Sequence, residues 1–345
     1  MAKTSSASGV ATVSAMMTAF MTSQVIHAAA RLDIADLINA GTTSTEALAR
    51  ATGTHLPSLH RLLRALVGLG LLEETEPRCF ALTPLGSTLR AGLPVSLRSF
   101  ALYVGSELMW QGWGDLGHSL RTGDTATRHL RGTGTFEYYA GRPAEAAVFN
   151  EAMADLTRQV AAAVLAAYDF AAFDTIVDVG GGNGTLMAAI LAATPALRGV
   201  VFDTPSGVAG ATSRLEAAGV AGRSRVVPGD FFDSVPPGAD AYILKSIVHD
   251  WDDDRSRAIL RTCRRAMAAG ARLLLLERVM PLRVEASSAH LQVLMRDLNM
   301  LVMEGGRERT EDEYRALLAS AGFELTAIIP DRAPTGVSVL EAAPS

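Results

Sequence analysis

The stretch that decides the fold is residues 175–193, TIVDVGGGNGTLMAAILAA, in which a β-branched run is followed by Gly180, Gly181, Gly182 and Gly184 and then by an apolar segment. This order predicts a strand, a tight turn and a helix. Glycines permit positive φ and let a ligand lie against the backbone, where the free N–H groups of the helix N-terminus favour an anionic group. The stretch therefore predicts a small-molecule cofactor site, with an ordinary turn as the alternative.

The glycine spacing distinguishes between nucleotide ligands. Gly180, Gly182 and Gly184 follow the pattern G-x-G-x-G, whereas a dinucleotide fingerprint places its last two glycines as G-x-x-G. Asp203 ends the next predicted strand, near the offset at which a carboxylate meets ribose hydroxyls in nucleotide-binding βαβ units. Together, the glycine loop and Asp203 favour a ligand of the adenosine type.

Composition narrows the class of protein. The 345 residues are 49% hydrophobic, which supplies a large core, and the net charge of −5 argues against nucleic acid as the main partner. Cys79 and Cys263 are the only cysteines and lie far apart in the sequence, so neither a disulfide framework nor a thiolate metal site is expected. The N-terminus lacks the charged region and apolar core of a signal peptide, and no run is expected to reach the ~18 apolar residues of a membrane span. We expect a globular cytoplasmic protein that binds neither membranes nor metal.

The first hundred residues predict a helical domain of their own. Residues 11–39 form helices with broad apolar faces, which could be covered within the domain but are better explained by contact with a second subunit. Two helices at 44–51 and 57–67, followed by two strands within 71–86, form a winged helix-turn-helix. Residues 1–100 hold eight basic and six acidic residues, which is no basic stripe, so a dimerisation module is favoured over DNA binding.

The rest of the chain predicts a connector and an α/β domain. Residues 91–143 should contain short helices and loops, and 143–167 one long helix. From residue 171 onward, strands alternate with helices, which implies a mostly parallel sheet with helices on both faces. The predicted strands are 175–179, 199–203, 224–227, 240–244, 272–277, 323–329 and 336–341. No helix separates the last two strands, so this pair should be antiparallel.

Polar side chains follow several of these strands. Ligands bind at the carboxyl ends of parallel strands, where Gly180, Asp203, Asp230 and Lys245 all fall. Asp230 could accept from an adenine amino group, although aspartate after glycine is also a common turn residue. His249 lies in a strand-to-helix loop at the same edge, so a catalytic role and a purely structural one are about equally favoured.

Six motifs in this order carry a family resemblance: DVGGGNG, FDTP, GDFF, LKSIVHDW, LLLLERVMP and GGRERT. With SLRTG at Ser119 and FNEAM at Phe149, they cover nearly the whole chain. The sequence resembles the S-adenosylmethionine-dependent O-methyltransferases of the plant caffeate and acetylserotonin type and their bacterial natural-product relatives. The resemblance implies a Rossmann-like seven-stranded sheet and an N-terminal winged-helix domain that forms a homodimer.

The resemblance also implies a role for each motif. The expected cofactor contacts, for S-adenosylmethionine and its product S-adenosylhomocysteine, are Gly180, Gly182, Asp203, Thr204, Asp230, Phe231 and Lys245. Thr204 stands where leucine is usual, which puts in doubt the packing around the adenosine. His249 is the expected general base, flanked and oriented by Glu277 and Glu308, either of which is expected as the partner of the ring. Adjacency in the sequence, not the resemblance, indicates that Asp250 points away in an extended segment and has a structural role. The expected contacts to an aromatic acceptor are Phe149, Asn150, Met153, Asn299 and Met303, with Trp110 and Met295 as further candidates.

These expectations define one main hypothesis and two alternatives. The chain should methylate a hydroxyl of an aromatic small molecule, with residues 1–100 as the dimerisation domain, 101–170 as a helical connector and 171–345 as the catalytic domain. A phenol with pKa ~10 and an imidazole with pKa ~6.5 differ by about 3.5 units, or roughly 5 kcal/mol, so His249 needs a carboxylate partner. The alternatives are N- or C-methylation, or a repurposed enzyme of this fold, and a ligand-sensing DNA-binding regulator.

Overall fold

The computed structural model describes residues 6–330 and 335–345, with side chains from residue 9 onward. The chain divides into two compact units, residues 1–110 and 111–345. The expected division into 1–100, 101–170 and 171–345 stays a prediction.

The first unit is mainly helical. Its elements are α1 (Ser6–Arg31), α2 (Ile34–Asn39), α3 (Thr45–Thr52), α4 (Leu56–Gly68), β1 (Leu72–Glu76), β2 (Cys79–Leu82), α5 (Pro84–Ser87) and α6 (Arg98–Val104). α3 begins at an N-cap, where the Ser44 side chain accepts from Ala47 N at 3.2 Å. β1 and β2 form an antiparallel hairpin, as expected after the two helices. Leu48, Leu63 and Phe80 form the centre of the core of this unit.

α1 is the most exposed apolar element of the first unit. Its exposed hydrophobic side chains are Val10, Val13, Met16, Met17, Phe20 and Met21. The expectation that no segment is long and apolar enough to span a membrane is wrong by length and composition. Among the described residues one helix, Gly9–Arg31, is long and apolar enough, with a mean hydropathy of 1.3. Core helices of soluble proteins and signal sequences meet the same criterion of length and composition.

The second unit begins within α7 (Glu107–Gly114) and carries the large sheet. Its further helices are α8 (Leu116–Thr122), α9 (Ala126–Arg131), α10 (Thr135–Ala140), α11 (Pro143–Ala167), α12 (Thr185–Ala193), α13 (Ala211–Ala217), α14 (Asp253–Ala266), α15 (Ser288–Met303) and α16 (Glu311–Ser320). Its strands are β3 (Thr175–Val179), β4 (Arg198–Asp203), β5 (Ser224–Pro228), β6 (Ala241–Lys245), β7 (Arg272–Glu277), β8 (Val279–Met280), β9 (Arg309–Thr310), β10 (Phe323–Ile329) and β11 (Ser338–Pro344).

Seven of these strands form one sheet in the order β10-β11-β7-β6-β3-β4-β5. β3 to β7 are parallel, and β11 runs antiparallel to both of its neighbours. The expected seven-stranded sheet and its antiparallel pair are thus confirmed. β4 and β5 lie on one side of β3 in the sheet, and the next strand, β6, lies on the other side of β3. The direction in which strands are added therefore reverses between β3 and β6, and this topological switch point is where ligands bind in sheets of this kind.

Apolar side chains cover both faces of the sheet. On β6, Tyr242 and Leu244 belong to the core on one face, whereas Ala241 and Ile243 belong to the core on the other. Successive side chains of a strand point to opposite faces, so a strand buried on both sides is apolar throughout. Polar groups are therefore concentrated at the strand ends, where the candidate site lies.

Candidate active site

The glycine loop follows β3 at the switch point. Gly180 N and Gly181 N donate to Phe202 O on β4, at 2.8 and 3.1 Å. Gly180 has φ +72°, and a Cβ at this position would lie 2.4 Å from Cδ1 of Ile247. Glycine is therefore required both by the backbone and by the approach of the loop after β6, which places the glycine loop beside the segment that carries His249.

Asp203, at the end of β4, is bonded to the glycine loop. Its Oδ2 accepts from Gly182 N at 2.8 Å, and its Oδ1 accepts from Thr204 N at 2.6 Å and from the Thr204 hydroxyl at 3.2 Å. Burial raises the pKa of Asp203, and these hydrogen bonds oppose the rise. Oδ2 accepts one hydrogen bond and keeps a second lone pair, so Asp203 can still accept from a hydroxyl of a ligand.

Asp230 and Phe231 lie beyond β5 at the same edge. Oδ1 of the exposed Asp230 accepts from Phe232 N at 2.8 Å, so the carboxylate closes its own turn. A Cβ on Gly180 would lie 3.7 Å from the Phe231 ring, which places this ring beside the glycine loop. The Phe231 ring also contacts Trp251 edge-on, with centroids 6.2 Å apart. The structure thus brings Phe231 and the glycine loop together.

Lys245 interacts with a carboxylate that the sequence did not single out. Lys245 ends β6, and Asp178 lies on the neighbouring strand β3. Burial lowers the pKa of Lys245, while Asp178, Glu277 and Asp250 raise it. Burial raises the pKa of Asp178 to about 7, against the opposing effect of Lys245. A single carboxylate inside the apolar strand TIVDV was the signal for this pair, because aspartate is rarely buried without a partner.

His249 lies in a short 3-10 helix, Val248–Asp250, that follows β6. Its Nδ1 lies 3.0 Å from Oε1 of Glu308 and 3.5 Å from Oε2 of Glu277. Its Nε2 lies 3.4 Å from Oδ1 of Asp250. The expectation that Asp250 points away is therefore wrong, because the segment is a tight turn and not an extended one.

Glu277 and Glu308 contact the His249 segment differently. Glu277 Oε1 accepts from Ile247 N at 3.0 Å and from Val248 N at 2.9 Å, so this carboxylate holds the backbone before the histidine. Glu308 forms the hydrogen bond with the ring, and its own N–H donates to Asp297 Oδ1 at 2.9 Å. The sequence left open which glutamate orients the imidazole, and the geometry assigns the ring contact to Glu308.

The carboxylates change the acidity of the imidazole. Burial alone would lower the pKa of His249, but Glu277, Glu308 and Asp250 together raise it to about 9. A free imidazole has a pKa near ~6.5 and a phenol near ~10. The carboxylates therefore bring the pKa of the base closer to that of a phenol, which makes complete proton transfer from a phenol less unfavourable.

The expected acceptor residues lie on α11 and α15. Asn299 is buried, and its Oδ1 accepts from the indole N–H of Trp113 at 3.0 Å. Met303 is fully buried, with its sulfur 3.6 Å from the Thr127 hydroxyl. On α11, the Phe149 ring stacks on Tyr139 with centroids 4.7 Å apart.

The remaining acceptor candidates differ in exposure. Asn150 and Met153 are half-buried, whereas Trp110 and Met295 are exposed. Trp113 was missed as a partner because the sequence offers no signal for a pair 186 residues apart.

Two clusters of donor atoms bear on the expectation of no metal site. The ligand atoms of His249, Glu277 and Glu308 lie within 4.8 Å of one another, and so do those of a second group, Asp115, His118 and His129. In the first group, His249 Nδ1 and Glu308 are as close as in a direct hydrogen bond, which needs no ion between them. Such clusters could also hold an ion, so the absence of a metal stays an expectation.

Comparisons with known proteins place the chain in a family. The family model of an O-methyltransferase domain matches residues 113–324, more than half of the chain, and that of an O-methyltransferase dimerisation domain matches 14–92. The phenazine O-methyltransferase PhzM of Lysobacter antibioticus is 44% identical over 95% of this chain and 94% of its own length.

Two further relatives illustrate ligands and chemistry. An O-methyltransferase from neocarzinostatin biosynthesis, solved with S-adenosylmethionine and 2-hydroxy-5-methyl naphthoic acid, is 35% identical with a TM-score of 0.79, covering 94% of this chain and 96% of that one. The 8-amino-8-demethylriboflavin N,N-dimethyltransferase of Streptomyces davaonensis is 36% identical over 89% of this chain and 88% of its own. The resemblance drawn from the six motifs is thus confirmed, and the chain belongs to the S-adenosylmethionine-dependent O-methyltransferases.

Proposed function

We propose that this enzyme transfers the methyl group of S-adenosylmethionine to a hydroxyl of an aromatic small molecule, with His249 as general base. The observation that carries the proposal is the pairing of His249 with Glu308, next to Ile247, whose side chain lies against Gly180 of the glycine loop. A sulfonium supplies a methyl group that needs no further activation. The tasks of the protein are therefore alignment and proton removal.

The residues around the glycine loop fit the parts of S-adenosylmethionine. Gly180 and Gly182 would face the methionyl part, where the N-terminus of α12 favours its carboxylate. Asp203 would accept from the ribose hydroxyls, with Thr204 fixing its Oδ1. Asp230 and Phe231 would hold the adenine, the first by hydrogen bonding and the second by packing. Lys245, at the end of β6, would contact the cofactor from that strand.

The acceptor would lie between α11 and α15. Phe149 and Asn150 on α11, and Met153 one turn further on, would form one wall, and Asn299 and Met303 on α15 the other. Methionine and aromatic side chains suit a flat ring, and the amide of Asn299 could fix one polar substituent of the ring. The acceptors named for the relatives, a phenazine and a naphthoic acid, are flat aromatic molecules and support this class.

We propose further that the first unit forms a homodimer in the cytoplasm. The exposed apolar side chains of α1 lie within the residues matched by the dimerisation domain, with the exception of Val10 and Val13. Burial of such a face against a second subunit removes a large apolar area from water. The order helix, helix, hairpin in α3, α4, β1 and β2 supports a winged helix as the scaffold. We propose that the protein binds neither nucleic acid nor membranes.

Methylation of nitrogen is the second candidate function, and one observation favours it. A relative that is 36% identical is an N,N-dimethyltransferase, so the family includes amine acceptors. An amine has a free lone pair and less need of a base than a hydroxyl, so the elaborate pairing of His249 supports the oxygen acceptor.

The experiment is a methyl-transfer screen with matched acceptors. Catechols, hydroxynaphthoates and hydroxyphenazines, together with their amino counterparts, are incubated with labelled S-adenosylmethionine, and the products are located by mass spectrometry and NMR. We expect labelled methyl on oxygen. Transfer to the amino compounds alone would reject the proposal in favour of N-methylation.

A further inference from the structure

Arg309 is the largest of the fully buried side chains, and it directly follows Glu308 in the sequence. An arginine with no solvent exposure requires partners for its donors, because an unpaired buried charge is costly. Most of the partners of Arg309 lie in the segment that follows β6, and one further hydrogen bond runs from Nη1 to Arg307 O at 3.5 Å.

The guanidinium binds the two ends of the His249 turn. Nη1 donates to Val248 O at 3.0 Å and Nη2 donates to Trp251 O at 2.9 Å, so the two carbonyls flank His249 and Asp250 in the sequence. Nε donates to Asp253 Oδ1 at 3.0 Å, at the start of α14. This planar set of donors matches carbonyls in fixed positions, which the single ammonium of lysine cannot reproduce.

The backbone before Arg309 lies against the same turn. A Cβ on Gly306 would be 2.0 Å from His249 O and 2.5 Å from Trp251 N. The segment from Gly306 to Arg309 is therefore in direct contact with the turn, and glycine is the residue that permits this approach.

We infer that Arg309 is a positioning residue for His249, so that the consecutive pair Glu308 and Arg309 fixes the base at two points. Glu308 holds the imidazole ring, and Arg309 holds the backbone on either side of it. Misplacement of a reacting group by about 1 Å can cost ~100-fold in rate. Loss of Arg309 should therefore lower kcat and leave binding of the cofactor product unaffected. The inference rests on the proposed role of His249.

Arg307 provides a matched control. Its Nη2 contacts the Asp253 carboxylate at 2.7 Å, but the structure gives it no hydrogen bond to the carbonyls of Val248 or Trp251. We would compare R309K with R307K for kcat, for KM of both substrates, for S-adenosylhomocysteine affinity and for the pH dependence of single-turnover rates. R309K should lose about 100-fold in kcat with an altered pH profile, and R307K should remain within about twofold.

Ser256 provides a milder variant in case R309K does not fold. The Ser256 hydroxyl lies 3.1 Å from Val248 O and 3.3 Å from Trp251 O, and it also accepts from Arg309 Nη2 at 3.2 Å. S256A should lower kcat severalfold without a change in S-adenosylhomocysteine affinity. Full kcat in R309K, or in S256A if R309K is insoluble, would overturn the inference. So would equal losses in R309K and R307K.

The failure of the inference and that of the proposed function are distinguishable through H249A, measured in parallel. If H249A remains active, the proposed base is wrong. If H249A is inactive while R309K keeps its full kcat and pH profile, only the positioning role of Arg309 fails.

Discussion

Oε1 of Glu308 lies 3.0 Å from Nδ1 of His249, whereas the second carboxylate at this nitrogen, that of Glu277, lies 3.5 Å away and accepts two backbone N–H groups. Glu308 therefore acts on the ring and Glu277 on the loop. This division determines how variants at the two positions should differ.

The pH dependence of turnover should report the raised pKa of His249. Only the unprotonated imidazole can take a proton, and its carboxylate neighbours raise its pKa to about 9. With a phenolic acceptor, kcat should therefore increase between pH 7 and 9. In E308Q the rising part of the plot of kcat against pH should move to lower pH. Removal of the negative charge next to the ring makes the imidazolium easier to deprotonate. If kcat of E308Q rises over the same pH range as kcat of the parent enzyme, the assigned effect of Glu308 on the pKa of His249 is contradicted.

Replacement of His249 by alanine should lower kcat by 100-fold or more, within the ~10²–10⁴ range of general-base catalysis. Isothermal titration should give an affinity for S-adenosylhomocysteine within about twofold of the parent, because the proposed cofactor contacts are at the glycine loop and Asp203. The exposed His55 offers a control, and H55Q should behave as the parent enzyme. Unaltered turnover in H249A would remove this residue as the base.

D203N should weaken cofactor binding about 10-fold or more. The substitution replaces one carboxylate oxygen by an NH2 group, which is a donor. In D203N this donor would face either the N–H of Gly182 or the N–H and hydroxyl of Thr204, which in the parent enzyme donate to Asp203, so a hydrogen bond is lost. Titration with S-adenosylmethionine and S-adenosylhomocysteine measures the loss. D254N, at a side chain that is 91% exposed, is the control and should bind normally. Equal binding by D203N and the parent would argue against a ribose contact.

W113F should affect the acceptor and not the cofactor. The phenyl ring keeps most of the apolar contact but cannot donate to Asn299 Oδ1, so the buried amide loses its partner and its fixed orientation. We expect KM for the acceptor to rise severalfold with KM for S-adenosylmethionine unchanged. Steady-state kinetics with each substrate varied would test this, and a change confined to the cofactor would contradict it.

G306A should destabilise the protein by about 2 kcal/mol or more, because the added methyl group would overlap the backbone at His249 O, and overpacking of this kind costs ~1–3 kcal/mol. Gly270 is the matched control, since a Cβ there meets nothing within 4 Å and its φ is not positive. Urea unfolding of G306A and G270A would give the comparison. Equal midpoints would mean that the turn has room to relax.

The sequence by itself determined the catalytic fold. Most of the seven strands of the large sheet contain an apolar run, and each ends at or next to glycine, proline or a charged residue, so these signals are local. The alternation of strands with helices predicts the parallel order, and this order places the glycine loop, Asp203, Lys245 and the His249 loop at one edge of the sheet. The motifs alone also predict His249 as the candidate base, together with two carboxylates that the structure places beside it, Glu277 and Glu308.

Only the tertiary structure decided how those groups meet. The distance of each glutamate from His249, the turn that brings Asp250 to Nε2, and the partners of Asp178, Trp113 and Arg309 all depend on side chains that are far apart in the chain. Asp250 was misplaced because a neighbouring residue points away in an extended segment but not in a 3-10 turn. Periodicity and spacing specify which face or strand end a residue occupies, whereas packing between distant elements sets the distances and the pKa values on which the chemistry depends.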